Sequence, residues 1–162
     1  MIFGFYKKVR VNRKVVNQFL KCVNSDYEGI KSGPISKTSW PTGGFVKEEL
    51  ELLFNQNLRK KIERKVGKVK ILDLWYQTYY ANSGSFHDWH IHPDSDYSIT
   101  FYLQMDRGDD IKTEFVIGDK IKKANAVVGD CVIFNSNIVH RAPPNLTNFD
   151  KIIISANLLK DM

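Results

Sequence analysis

Beyond Gly67 the sequence is a succession of short β-branched and aromatic runs punctuated by turn-forming residues. The first runs from Lys70 to Tyr80, and others follow at about 86–92, 97–104, 113–117, 121–128, 130–135, 138–142 and 150–159. Between them stand Asn82-Ser83-Gly84-Ser85, Pro93-Asp94-Ser95-Asp96, Arg107-Gly108-Asp109-Asp110, Gly118-Asp119 and Val128-Gly129-Asp130, all of turn composition. Eight short strands at such regular spacing predict a sandwich or jelly roll. The last run carries two faces at period two. Ile152, Ile154, Ala156 and Leu158 form a continuous apolar face, which predicts core. Lys151, Ile153, Ser155 and Asn157 form the other, which places a cation, a hydroxyl and an amide toward a cavity. The 97–104 run alternates in the same way, with Ser98, Thr100, Tyr102 and Gln104 on its more polar side.

The first part of the chain reads as helical. Asn12 is a candidate N-cap, followed by Val15, Val16, Phe19, Leu20 and Val23 at helical spacing. Residues 24–45 have turn composition and predict an irregular segment around Trp40-Pro41. From Lys47 to Val66 the apolar residues Leu50, Leu53, Phe54, Leu58, Ile62 and Val66 predict one long helix. Its acidic residues sit at the start and its basic ones at the end, as the helix dipole favours. The expected organisation is a single domain, 1–162. A helical part at 1–69 packs on one sheet of a β core at 70–160, giving a mainly β, α+β class.

The formal net charge of +6 is unevenly spread. Residues 1–70 hold sixteen Lys/Arg against six Asp/Glu, about +10; residues 71–162 hold eight against twelve, about −4. Arg59, Lys60, Lys61, Arg64, Lys65, Lys68 and Lys70 concentrate the excess. Such a cluster either attracts a polyanion such as nucleic acid or forms a solvated helix face. The lack of interleaved aromatics favours the solvated face. Cys22 and Cys131 suggest no disulfide framework, and Cys131 reads as a small buried hydrophobe. No apolar run reaches membrane-spanning length, and the first residues lack the order of a secretory signal. The expectation is a cytoplasmic protein with no membrane partner.

Three of the four histidines fall in Phe86-His87-Asp88-Trp89-His90-Ile91-His92-Pro93-Asp94, and His140 stands alone downstream. Imidazole is the commonest metal ligand. A strand carrying His90-x-His92 would turn both rings to one face, with His87 on the opposite face. Trp40 and Trp89 read as core or lid aromatics.

The ordered set His90-x-His92-Pro93, Ser98, Phe101-Tyr102-Leu103, Gly129-Asp130, Phe134-x-Ser136, His140 and Lys151-Ile152-Ile153-Ile154-Ser155-x-Asn157 resembles the iron(II)- and 2-oxoglutarate-dependent oxygenases. Among them it looks most like the small oxygenases of marine bacteria and their phages, over about 70–160. The resemblance implies a double-stranded β-helix (jelly roll) holding Fe(II) between His90, His92 and His140. Open metal positions would take 2-oxoglutarate and oxygen. It also implies that Lys151 pairs with the far carboxylate of 2-oxoglutarate, with Tyr102 or Ser155 adding a hydroxyl. The products would be succinate, CO2 and a hydroxylated substrate.

The sequence departs from that family in two places. Most members carry His-x-Asp or His-x-Glu, so His92-x-Asp94 competes with His90-x-His92. The latter is favoured because Asp94 falls inside a turn. Lys151 stands where Arg is commoner, which keeps the charge and loses the bidentate fork. Two other readings remain. One is a cupin-type metal protein that ignores 2-oxoglutarate, with Asp96 as its acidic ligand. The other is a jelly roll that binds nucleic acid or a partner through the basic helix. Substrate-determining residues are expected around 81–88 and 105–113. The substrate and the oligomeric state are not encoded legibly.

Overall fold

The computed structural model describes residues 4–41, 44–108 and 111–162, so Asp109 and Asp110 of the expected turn lie outside the described residues. In chain order its first elements are β1 (Tyr6–Arg10), α1 (Arg13–Asn24), β2 (Ile30–Ser32), β3 (Ile35–Thr38), α2 (Lys47–Asn57) and α3 (Arg59–Val66). There follow β4 (Val69–Tyr79), β5 (His87–His90), β6 (Tyr97–Gln104) and β7 (Glu114–Ile117). The last are β8 (Lys120–Lys123), β9 (Asp130–Asn135), β10 (His140–Ala142) and β11 (Lys151–Lys160). The strands form a larger antiparallel sheet, β1-β9-β6-β11-β4-β3-β2, and a smaller one, β5-β10-β7-β8. That is the expected jelly roll.

The two faces of β11 explain the layering. Ile152, Ile154, Ala156 and Leu158 bury against α1, α2 and α3, where Phe19 meets Phe101 edge-to-face at 5.1 Å. Ile153, on the other face, packs between the sheets with Tyr79, Tyr102, Phe115, Val132 and Phe134. β11 is central in its sheet, between β4 and β6, so both faces are covered and its isoleucines run without a break.

The N-terminal part differs from expectation. β1, β2 and β3 all join the larger sheet. β1 is an edge strand whose Lys7, Lys8 and Arg10 stay exposed, a charge-rich composition that suits an edge and masks the strand in the sequence. The β2–β3 hairpin turns at Gly33, whose φ of +53° favours glycine. α1 begins as expected, with Asn12 Oδ1 accepting the Val15 amide at 3.0 Å.

The long helix over 47–66 is broken at Leu58, where φ is −114°. Leu50, Phe54, Leu58 and Ile62 are all fully buried at a spacing of four residues. A straight helix turns each such step by about 40° away from the last, so the break keeps all four on the sheet. The Asn57 side-chain amide, donating to the Leu53 carbonyl at 2.9 Å, competes with the backbone at that point. Lys60, Lys61, Arg64, Lys65, Lys68 and Lys70 are exposed. Arg59 instead donates to the Val69 carbonyl at 2.6 Å. No helix of the described residues is long and apolar enough to cross a membrane.

β1 is pinned to β9 by buried Asp130, which accepts from Arg10 Nη1 at 3.0 Å and from the Val127 amide at 3.0 Å. Asp130→Ala would leave the Val127 amide without its acceptor and take the carboxylate from Arg10. We expect it to lower the unfolding free energy by about 2 kcal/mol, read from urea denaturation; no change in the urea midpoint would refute the role.

Candidate metal centre

His140 is the direct antiparallel partner of His90, across β10 and β5. That register brings the distal histidine back to the histidine cluster. The imidazole centroids stand 4.2 Å apart for His90–His140, 4.9 Å for His90–His92 and 5.1 Å for His92–His140. One ring nitrogen from each of the three lies within 4.8 Å of the others. An ion bonded at about 2.1 Å to each nitrogen would draw them closer still.

Only His90 of the His-x-His pair lies in a strand, because β5 ends there. His92 lies beyond it and is positioned by its own amide, which donates to the Ser136 carbonyl at 2.9 Å. A buried polar chain supports that point. Ser136 Oγ bonds Ser95 Oγ at 2.7 Å and Ser98 Oγ at 3.2 Å; Ser98 donates to Asn157 Oδ1 at 3.0 Å. Asn157 in turn donates to Asp73 Oδ2 at 3.0 Å. Such outer partners usually hold metal ligands in position. Ser136→Ala is therefore expected to weaken metal affinity by about tenfold with the fold retained. Zn(II) competition against a chelator measures it, and an unchanged affinity would remove the role.

His87 departs from the sequence expectation. Its ring stacks on His90 at 3.9 Å and 18°, on the same side rather than the opposite one. The pairing explains this: Ala142 opposes His87 while His140 opposes His90, so three steps on β5 match two on β10. The bulge inserts a residue and re-aims the side chain. No composition signal marks it. Among the described residues, the three-ring group excludes His87. Asp94 is exposed in its turn and belongs to no such group.

Burial lowers the proton affinity of all four rings. Together with the neighbouring imidazoles it pushes His87 and His92 to about 4 and His140 to about 3; burial also lowers His90. The rings are thus neutral at physiological pH, with lone pairs available to a cation. The His90 Nδ1 contacts the Asp88 carbonyl at 2.5 Å and the His140 Nδ1 the Ile138 carbonyl at 2.9 Å. These contacts fix the tautomers so that Nε2 is the available ligand atom.

The rings line a hollow between the sheets that also presents Ser155, Thr113, Gln77 and Asn157. Lys151 and Tyr102 face the same interior but lie deeper and are fully buried. The Lys151 ammonium donates to the Ile111 carbonyl at 2.6 Å and stands 5.3 Å and 6.0 Å from the Tyr79 and Tyr102 ring centroids. The Tyr102 hydroxyl donates to Thr113 Oγ1 at 2.7 Å. Among the described residues no carboxylate forms an ion pair with Lys151; burial pushes its pKa down to about 7, with the Glu114 charge a smaller opposing influence. Trp75 and Gln77 line the hollow too, a role that was not anticipated. The legible signal for it was a neutral amide inside the aromatic run Leu74-Trp75-Tyr76-Gln77-Thr78-Tyr79.

No protein-family model matches the sequence, and no curated protein matches it. Solved structures do. A non-heme α-ketoglutarate-dependent epimerase from nogalamycin biosynthesis, SnoN, matches at TM-score 0.73 and 14% identity, over 96% of this chain and 77% of its own. A prolyl-4-hydroxylase from Pseudomonas putida matches at TM-score 0.66 and 16% identity, over 97% and 93%. HygX from Streptomyces hygroscopicus, solved with nickel and 2-oxoglutarate, matches at TM-score 0.70 and 12% identity, over 97% and 83%. The fold is that of the 2OG-Fe(II) oxygenases. Within that fold, His90, His92 and His140 are the described residues whose ligand atoms come close enough together that they could hold a metal ion.

Proposed function

We propose that this chain is an Fe(II)- and 2-oxoglutarate-dependent dioxygenase that hydroxylates its substrate and releases succinate and CO2. The observation that carries the reading is one interior shared by three neutral imidazoles and a buried ammonium that has no carboxylate ion-pair partner among the described residues. The donor set fits the ion. Imidazole nitrogens suit iron, and three of them on one side leave the opposite positions open.

In this reading His90, His92 and His140 hold Fe(II), and Lys151 receives the far carboxylate of 2-oxoglutarate. The ammonium would exchange the Ile111 carbonyl for that anion, a stronger charge-assisted bond. Ser155, which lines the hollow, and the Tyr102 hydroxyl, held by Thr113, supply further polar contacts to the same dicarboxylate. Bound iron would supply oxygen activation coupled to oxidative decarboxylation of the cosubstrate. The surrounding Phe134, Tyr79 and Ile153 keep bulk water from the reacting groups. The N-terminal helices share a core with the sheet that carries β11, and we take residues 1–162 as one folding unit with 1–69 covering the 70–160 β-helix.

The cupin alternative requires Asp96 as an acidic ligand, yet its carboxylate accepts the Lys160 amide at 2.7 Å and is absent from the three-ring group. The oxygenase reading predicts succinate formation that needs added Fe(II) and 2-oxoglutarate together. Purified protein that binds neither would overturn it.

A further inference from the structure

A second cavity, of about 220 Å³, is lined by His87, His90 and His92 but by neither His140 nor Lys151. Its inner wall is shared with the hollow through Trp75, Gln77, His87, His90 and His92, while the β2–β3 hairpin and Trp40 form the outer wall. An ion held by the three rings would therefore be reached from two sides. The interior side carries the buried cation; the outer side carries none. Among the described residues, no Asp, Glu, Lys or Arg lines the second cavity.

What it does present is aromatic surface and hydrogen-bond donors. Trp40, 37% exposed at the rim, packs edge-to-face on Trp75 with centroids 4.6 Å apart, and Ile35 adds aliphatic surface. Gln77 Oε1 is already engaged by the Tyr79 hydroxyl at 2.6 Å, so Gln77 offers its amide nitrogen. Trp75 is the decisive residue. It is 4% exposed, and its indole Nε1 is the buried side-chain polar atom without a hydrogen-bond partner among the described residues. A buried donor left unpaired is costly and calls for an acceptor.

We propose that this cavity seats the substrate, and that the substrate is a small uncharged molecule with a mostly apolar body and a carbonyl-type acceptor. The acceptor takes the Trp75 N–H, the apolar body lies between Trp40 and Ile35, and the group to be oxidised faces the His90–His92 side. The volume fits a single ring or short branched unit, since pockets for larger ligands start near 300 Å³. The word substrate rests on the oxygenase reading; the ligand preference rests on the cavity alone.

The test uses the ¹⁵N-labelled full chain, followed through its indole N–H resonances, with Trp75 assigned from Trp75→Phe. Benzamide serves as the neutral probe, and benzoate and benzylammonium as charged ones. We expect benzamide to move the Trp75 resonance saturably, and both charged probes to bind at least about tenfold more weakly. Trp40→Ala should weaken benzamide by about tenfold. Trp75→Phe keeps an apolar ring and removes the donor, so, read from the Trp40 indole resonance, it should weaken benzamide and leave toluene binding unchanged.

The proposal falls if benzamide does not bind, if a charged probe binds better, or if Trp40→Ala has no effect. It falls equally if 2-oxoglutarate rather than benzamide moves the Trp75 resonance, which would give the donor to the cosubstrate. Tighter binding of N-acetylphenylalaninamide than of benzamide would point to a peptide side chain and overturn the assignment to a small free molecule. The readout needs neither iron nor turnover, so its failure is distinct from failure to form succinate.

Discussion

Lys151→Met is expected to lower 2-oxoglutarate affinity by about a hundredfold or more while making the ligand-free protein more stable. The two effects have one cause. The ammonium is fully buried among Tyr79, Tyr102 and a backbone carbonyl, where desolvation penalises the charge. Methionine fills a similar volume with no charge to desolvate, and such replacements often stabilise. A dicarboxylate, in contrast, would lose the fully buried cation that faces this interior, and removing one member of a buried charge pair typically costs about 2–5 kcal/mol.

Stability should also depend on pH in a particular direction. The folded-state pKa of Lys151 is depressed from 10.5 to about 7, so between those values the unfolded chain binds a proton that the folded protein has released. Stability of the ligand-free wild type therefore rises with pH across that window. In Lys151→Met this contribution vanishes. Isothermal titration with 2-oxoglutarate and urea denaturation at several pH values read both effects. A variant that is less stable and binds the cosubstrate as before would show the lysine to be purely structural.

The second large effect is expected at His140. His140→Ala should weaken Fe(II) or Zn(II) binding by about a thousandfold, since it removes one of three ligands and opens the ring cluster. Because His140 is paired to His90 across the strands, the variant also shows whether the two-sheet register builds the site. His87→Ala is the informative contrast. Its ring stacks on His90 at 3.9 Å but lies outside the three-ring group, so the loss should stay within about tenfold. Equal losses at both positions would replace the assigned triad with a different one.

The β half was readable because its signals are local and repeated. In β11 a single alternation separates Ile152, Ile154, Ala156 and Leu158, which bury under the helices, from Ile153, Ser155 and Asn157, which line the hollow. The same period placed Tyr102 and Lys151 on the inner side. Their depth was not readable, because it depends on Ile111 and Thr113, brought in by tertiary packing. β1 was hidden by the charges that suit an edge strand. The kink at Leu58 depends on which sheet four apolar residues must face. His87 was misplaced because period-two reasoning assumes an unbroken ladder, and the bulge against β10 breaks it. Asp94 is exposed in the Pro93-Asp94 turn, as the turn composition there predicts.

The most direct measurement is an anaerobic titration of the purified full chain with Fe(II) and then 2-oxoglutarate, monitored by visible absorption. The account predicts a charge-transfer band that needs both additions, saturates at one equivalent of each, disappears in His140→Ala and requires far more 2-oxoglutarate in Lys151→Met. Iron binding without any 2-oxoglutarate-dependent band, or a band that survives His140→Ala, would contradict it.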